Sequence, residues 1–260
     1  MNLLFLDKKS SIKNLTIMLK QTGGRNLSGK ISTYSRGQGH AQRYKFVNFN
    51  PLNKGLAIIK QFDYDSSRQV YLALICTQKG FLSYILATET MKLGDIVLSN
   101  IDLTYLKSYG IQVNKFSNIH ILNPLNSFEL GSFVCNFKNY ARAAGTKGLI
   151  VKKYKNKTVI RLPSGKLCLI SNILNVFQGQ VAFAHYKFNN LIKAGQSRWL
   201  GRKSKVRGVA KNPVDHPHGG GEGKTSGGRC SVSPWGILTK GYPTVRGKKR
   251  KLKLLNQLSI

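Results

Sequence analysis

The apolar residues of this chain fall in short runs, rich in Val, Ile, Leu, Tyr and Phe and closed by Gly, Asn, Asp or Ser. Runs of about four to eight such residues predict strands: branched and aromatic side chains pack well on a pleated surface, and the breakers end the ladder. One set occupies residues 43–49, 55–62, 69–76, 81–87 and 95–99, with a shorter candidate at 30–34. Five or so strands within about seventy residues predict a small closed barrel of the OB type. A second set lies at 132–137, 148–154, 158–162, 167–171 and 179–185, with turns at Gly145, Lys155-Asn156-Lys157 and Pro163-Ser164-Gly165. Its spacing of about eight to twelve residues predicts another small barrel or sandwich. The pattern weakens over 107–126, where Pro124 makes a joint. Sustained helix is almost absent, the one candidate being 188–194 with Gly195 as its C-cap. The fold class is therefore all-β, divided into an arm at 1–29, a first barrel at 30–115, a second at 116–192 and an extension at 193–260.

The extension breaks the pattern. Residues 206–229, VRGVAKNPVDHPHGGGEGKTSGGR, carry Pro213, Pro217 and seven glycines, and alternate at neither period two nor period 3.6. Such a segment has no apolar face to bury, so it is expected to be largely disordered alone and ordered by a partner. It nonetheless holds one dense cluster, Asp215-His216-Pro217-His218.

Charge supplies the partner. The chain has 42 Lys+Arg against 9 Asp+Glu, a net +33, and a pI near 10.3. That imbalance attracts polyanions. Residues 61–110 are near neutral, whereas 193–260 hold sixteen Lys/Arg and two acids, the layout of a folded body with a nucleic-acid-binding extension. Glycines let backbone N–H groups approach phosphate, and cations neutralise it. Folded RNA is the inferred partner. Cys76, Cys135, Cys168 and Cys230 show no C-x-x-C spacing, so neither a zinc knuckle nor a disulfide framework is indicated, and a reducing compartment fits. No apolar run reaches the ~20 residues of a membrane span. The N-terminus lacks a small-residue cleavage site and has no arginine before Arg25, which does not support an import signal.

Several stretches admit competing chemistry. GGGEGKT at 219–225 resembles a phosphate-binding loop, but the position needing the first glycine holds His218 and prolines replace the preceding strand. His216, His218 and Asp215 lack the second close pair that zinc sites use. General-base work would need an oriented partner, and no nucleophile elbow is present. Contact with RNA outweighs both, since imidazoles stack on bases or donate to phosphate. Arg25, Lys30, Arg36, His40, Arg43 and Lys45 interleave with Tyr34 and Tyr44 and are assigned to a cationic, stackable surface of the first barrel. Arg198, Arg202, Lys203, Lys205 and Arg207 are assigned to phosphate. Trp199 is first a core anchor for the extension, and is counted with the contact set. Lys224, Arg229, Lys240, Arg246, Lys248, Lys249 and Arg250 complete a threaded tail.

These residues also carry a resemblance. The run KAGQSRWLGRKSKVRGVAKNPVDHPHGGGEGK at 193–224, with Pro234-Trp235-Gly236 and Thr239-Lys240-Gly241, resembles the family of the second protein of the large ribosomal subunit, bacterial or organellar type. Gly23-Gly24-Arg25-Asn26, Gly39-His40, Phe62-Asp63-Tyr64-Asp65 and Ala141-Arg142-Ala143-Ala144-Gly145-Thr146 are similar too. The chain departs from that pattern at 111–130 and at Arg36, where the family's loop carries glycine.

The resemblance implies an OB-type barrel, an SH3-like barrel and a basic extension. It implies a structural protein that binds large-subunit rRNA, supports subunit association and organises RNA near the peptidyl transferase centre. RNA, not the protein, then performs the chemistry. Arg142, Lys147, Asn212 and His216 join the contact set on this basis. The implied partners are rRNA, neighbouring ribosomal proteins and a small-subunit contact, with a monomer in each ribosome, no membrane, and no cofactor beyond structural Mg2+ on the RNA. Abundant Asn, Lys, Phe, Tyr and Ile point to an AT-biased genome and a mitochondrial ribosome, with the bacterial cytoplasm as the alternative. An RNA-acting enzyme using the Asp215-His216-Pro217-His218 loop is the rival reading, and a general nucleic-acid packaging protein the third.

Overall fold

The computed structural model describes residues 12–49, 55–99, 119–223 and 225–242. It divides into two compact units, Met1–Leu19 with Ala41–Asn190, and Lys20–His40 with Leu191–Ile260.

The first unit holds every strand among the described residues: β1 Thr16–Met18, β2 Arg43–Lys45, β3 Gly55–Asp65, β4 Val70–Thr77, β5 Leu82–Leu86, β6 Ile96–Ser99, β7 Ile119–Pro124, β8 Phe133–Cys135, β9 Gly148–Lys153, β10 Lys157–Arg161, β11 Leu167–Ser171 and β12 Asn175–Gln178. β1 and β2 pair alone, and the other ten run in the order β11-β10-β9-β8-β12-β7-β6-β3-β4-β5. Neighbours are antiparallel except β6 and β7, whose parallel ladder joins the two strand sets. The class is all-β as expected, with an open succession of strands rather than closed rings among the described residues.

Local sequence explains the sheet. β4 reads VYLALICT and is buried along most of its length, so it forms a continuous apolar run between β3 and β5. In β3 a register shift between Ile59 and Gln61 breaks the regular alternation, as a bulge does. After it, Asp63 and Asp65 are buried alongside Phe62. One apolar cluster links both strand sets, with Leu72, Tyr84, Phe137, Val176 and Phe177 at its centre. Each large apolar side chain removed from water there contributes about 1.5–3 kcal/mol.

Four expectations differ from the structure. Residues 179–185 are not a strand: β12 lies earlier, and buried Val181 is held by an isolated bridge to Thr88. Its apolar residues reflect burial, which by itself carries no ladder. Residues 30–34 form no strand either, Ile31 making only a bridge to Arg25. β7 lies inside the region whose pattern is weak, with Pro124 at its last position. The helix is not at 188–194 but at α1, Ala194–Trp199, with Gly195 inside it. The Gln196 side chain accepts from the N–H groups of Ile192 (2.6 Å) and Lys193 (3.2 Å) and so starts the helix.

A buried polar network ties β2 to the sheet. The Lys45 ammonium lies 3.1 Å from the Asp63 carboxylate and donates to the Tyr64 carbonyl at 3.0 Å. The Tyr84 hydroxyl donates to Asp63 as well. Burial, then the Asp63 hydrogen bond and charge, raise the Tyr84 pKa well above its ordinary value. Removing one charge of a buried pair strands the other, which costs about 3–5 kcal/mol. Asp63→Ala should therefore lower the melting temperature by roughly 10 °C, given about 2–4 °C per kcal/mol for a unit of this size. A thermal melt followed by circular dichroism reads this directly, and an unchanged midpoint would remove the network from the fold's stability.

Candidate nucleic-acid interface

The second unit is assembled by backbone contacts between two cationic segments. The Gly37 N–H donates to the Gly201 carbonyl at 2.9 Å, His40 N–H to Trp199 at 2.8 Å, and Lys203 N–H to Ser35 at 3.1 Å. Arg36 and Arg202 face each other across this pairing. The Gln21 amide adds a clamp, donating to the His40 carbonyl at 3.0 Å and accepting from Gly39 N–H at 2.7 Å. Gly39 must be glycine, because a Cβ there would overlap the Trp199 carbonyl and the Gly201 backbone.

The glycine-rich loop has its own internal order. Beyond one 3₁₀ turn, Gly208–Ala210, it carries no regular element, as its pattern predicts. It is not shapeless, however, because imidazoles replace the missing ladder. The Asn212 carbonyl accepts from Asp215 N–H (3.0 Å) and His216 N–H (3.3 Å), and the His216 carbonyl accepts from Gly219 N–H (2.8 Å). His216 Nδ1 accepts from His218 N–H at 3.0 Å, and His218 Nε2 accepts from Val232 N–H at 2.9 Å. The two rings stack with centroids 5.2 Å apart. His216 is only 8% exposed and lies under Gly208, where a Cβ would come within 2.6 Å of the ring. Burial, then the nearby His218 and Lys211 charges, lower the His216 pKa. A neutral imidazole whose Nδ1 is committed to the loop shapes it instead of acting as a general base.

Most sequence-assigned cations are presented to solvent. In the second unit Arg25, Lys30, Arg36, Arg198, Arg202, Lys203, Lys205, Arg207, Arg229 and Lys240 are exposed, as are His40 and Asn212, and His218 is half-buried. Trp199 is 63% exposed, so its side chain is no core anchor; its carbonyl does the fastening. Residues 25–40 belong with the extension and not with the first strand set. In the first unit Arg43 is exposed. The half-buried Arg142 stacks 3.7 Å from the Phe49 centroid and donates to Asn136 at 3.0 Å. Lys147 sits 3.8 Å over the Phe133 ring. Lys45 departs from the assignment: the β2 alternation turns it inward, and Asp63 takes its charge. Lys224, Arg246, Lys248, Lys249 and Arg250 lie outside the described residues. Sequence reasoning passed over Lys211, whose ammonium lies 5.2 Å from the Tyr34 ring centroid. Only the fold brings 34 and 211 together.

The electrostatics of the two units contrast. Among the described residues the ion pairs are Lys45–Asp63 and Arg68–Asp65, and His120 is hydrogen-bonded to Asp95, all in the first unit. The described part of the second unit has thirteen Lys/Arg and two acids, Asp215 and Glu222, with no ion pair between them. No group of His, Cys, Asp and Glu suited to a metal ion occurs among the described residues.

Comparison with known proteins gives two matching family models, "Ribosomal Proteins L2, RNA binding N-terminal domain" over residues 12–99 and "Ribosomal Proteins L2, C-terminal domain" over residues 121–236. The chain is 41% identical to large ribosomal subunit protein uL2 of Wolbachia pipientis wMel, over 97% of this chain and 91% of the relative. It is 38% identical to large ribosomal subunit protein uL2m of Reclinomonas americana, over 96% and 89%. It is 40% identical to uL2 of Bartonella quintana (strain Toulouse), over 94% and 86%.

Two outcomes follow from the loop geometry. The closed loop resists the proton that an opened loop accepts near the ordinary histidine value of 6.5. Loop stability is thus intact above that pH and is lost as pH falls below it. In an NMR titration the His218 and Val232 amide signals should shift together below pH 6.5 while β4 amides stay still; a His216 titrating at or above 6.5 contradicts the burial argument. Gly208→Ala should displace the His216 ring and move the same amides at neutral pH.

Proposed function

The chain belongs to the ribosomal protein L2 family, and from that premise we propose that its second unit and basic loops grip the phosphates of large-subunit rRNA. It is a structural constituent of the large ribosomal subunit and not an enzyme. The observation that carries the proposal is the set of thirteen Lys/Arg in the described second unit with no carboxylate partner. Cations without internal partners repel one another, and a polyanion removes that repulsion while releasing its own counterions.

The remaining assignments belong to the same proposal. By its resemblance to the family, the protein supports joining of the subunits and organises RNA near the peptidyl transferase centre, with one copy per ribosome beside neighbouring ribosomal proteins. Arg142 and Lys147 are further contacts, on the first unit. The basic segment from Lys224 to Arg250 continues it, with Mg2+ carried by the RNA. The ribosome in question is mitochondrial; the Asn-, Lys- and Ile-rich composition and the similarity to uL2m support this, with bacterial uL2 proteins equally similar. Sedimentation with large subunits from isolated mitochondria checks the compartment.

Binding to protein-free large-subunit rRNA, measured by filter retention between about 50 and 200 mM salt, should fall steeply on a log–log plot. Replacing both Lys205 and Arg207 by alanine should reduce that slope by about two, one per phosphate contact, without altering the melt. A flat salt response would refute phosphate contact as the basis of binding.

A further inference from the structure

Trp235 and Tyr34 are far apart in sequence, yet their ring centroids lie 5.9 Å apart at 59°. Both are open to solvent, Trp235 at 67% and Tyr34 at 46%. Rings of this size normally withdraw from water, so the local backbone must hold them out. Trp235 occupies the tip of a short hairpin. Val232 bridges Leu238, Thr239 N–H donates to the Ser231 carbonyl at 3.0 Å, and Ser233 N–H donates to Ile237 at 2.8 Å. Gly236, at φ 78°, closes the tip by donating to Ser233 at 2.9 Å. Ser233 Oγ also accepts from the N–H groups of Trp235 and Ile237. The base of the hairpin is fastened to the histidine loop through Val232 N–H and His218 Nε2, with Val232 buried. Tyr34 carries the Lys211 ammonium against its ring.

This is a pre-formed aromatic platform beside a cation, in a unit whose described cations have no carboxylate partner. We infer that Trp235, backed by Tyr34 and Lys211, is a stacking site for one unpaired nucleobase of rRNA. The inference rests on the RNA-binding reading and adds a ligand of stated geometry. A flat π-face with a phosphate beside it matches both halves of the platform, whereas an apolar protein surface would leave Lys211 without a counter-charge. Bases within a duplex are already stacked on their neighbours, so the platform selects a bulged, looped or terminal nucleotide. Phosphate contacts read only charge; this site reads whether a base is available.

The test uses the full-length chain and protein-free large-subunit rRNA. Trp235→Ala should weaken binding about tenfold at every salt concentration with the slope unchanged, because stacking involves no counterion. Trp235→Phe should recover most of the affinity. Fluorescence provides a second reading that tolerates a damaged alanine variant. The chain has two tryptophans and Trp199 is itself exposed, so the reading is taken in Trp199→Phe, where the fluorescence of Trp235 should be quenched when RNA is added. If the wild type binds with a steep salt dependence but Trp235→Ala binds equally well and Trp199→Phe shows no quenching when RNA is added, the stacking site is overturned and the phosphate reading stands. If the wild type does not bind naked rRNA, both fall together. If Trp235→Ala binds rRNA normally yet is depleted from subunits reassembled with the full protein set, the platform faces a protein and the inference is wrong.

Discussion

Two cationic segments that should repel are held in register by backbone hydrogen bonds, and the functional unit is built on that pairing. Arg36 lies opposite Arg202, and among the described residues no carboxylate pairs with either of them. Surface attraction cannot account for the contact, because exposed like charges at this range are unfavourable. Close packing can. Gly37, Gly39 and Gly201 let the two backbones approach until N–H and carbonyl groups meet at 2.8–3.1 Å, and Gly39 leaves no room for a side chain. The repulsion that remains is a standing bias toward any partner that brings negative charge.

The first unit handles charge in the opposite way. Its buried carboxylates Asp63, Asp65 and Asp95 meet Lys45, Arg68 and His120 inside the protein, where an unpaired charge would be costly. That unit therefore stands on apolar packing between β-strands and a few satisfied polar networks. The second replaces an apolar core with glycine-permitted backbone contacts, and with two histidines that use ring nitrogens as hydrogen-bond acceptors. His216 and His218 take up N–H groups that a strand or helix would otherwise satisfy. This is how a segment without hydrophobic periodicity acquires a definite shape.

Much of the architecture was legible in the pattern of apolar runs. β3, β4, β5, β6, β9, β10 and β11 lie within a few residues of their expected positions, because a strand is a local bet on branched and aromatic residues. The misses have a common cause. The run at 181–183 is apolar because it is buried, not because it pairs, and the strand at Ile119–Pro124, IHILNP, is mixed in character. Burial and pairing are both long-range facts. The helix at Ala194–Trp199 depends on Gln196 capping it from within, a signal that apolar periodicity does not contain. For the site, composition was enough to mark the cationic, glycine-rich extension and its exposed Lys/Arg. It was misleading for Lys45, because strand alternation decides which of two adjacent cations turns inward.

The order of residues, read alone, determined the all-β class, the uneven charge and the chemistry concentrated near Asp215-His216-Pro217-His218, since each follows from local composition and spacing. Tertiary structure alone decided three things: that residues 20–40 pack with the extension, that His216 is enclosed, and that Tyr34, Lys211 and Trp235 meet. Such juxtapositions join positions far apart along the chain. Which of the many sterically allowed closures forms depends on glycine clearances and hydrogen-bond geometry, quantities that a linear pattern does not encode.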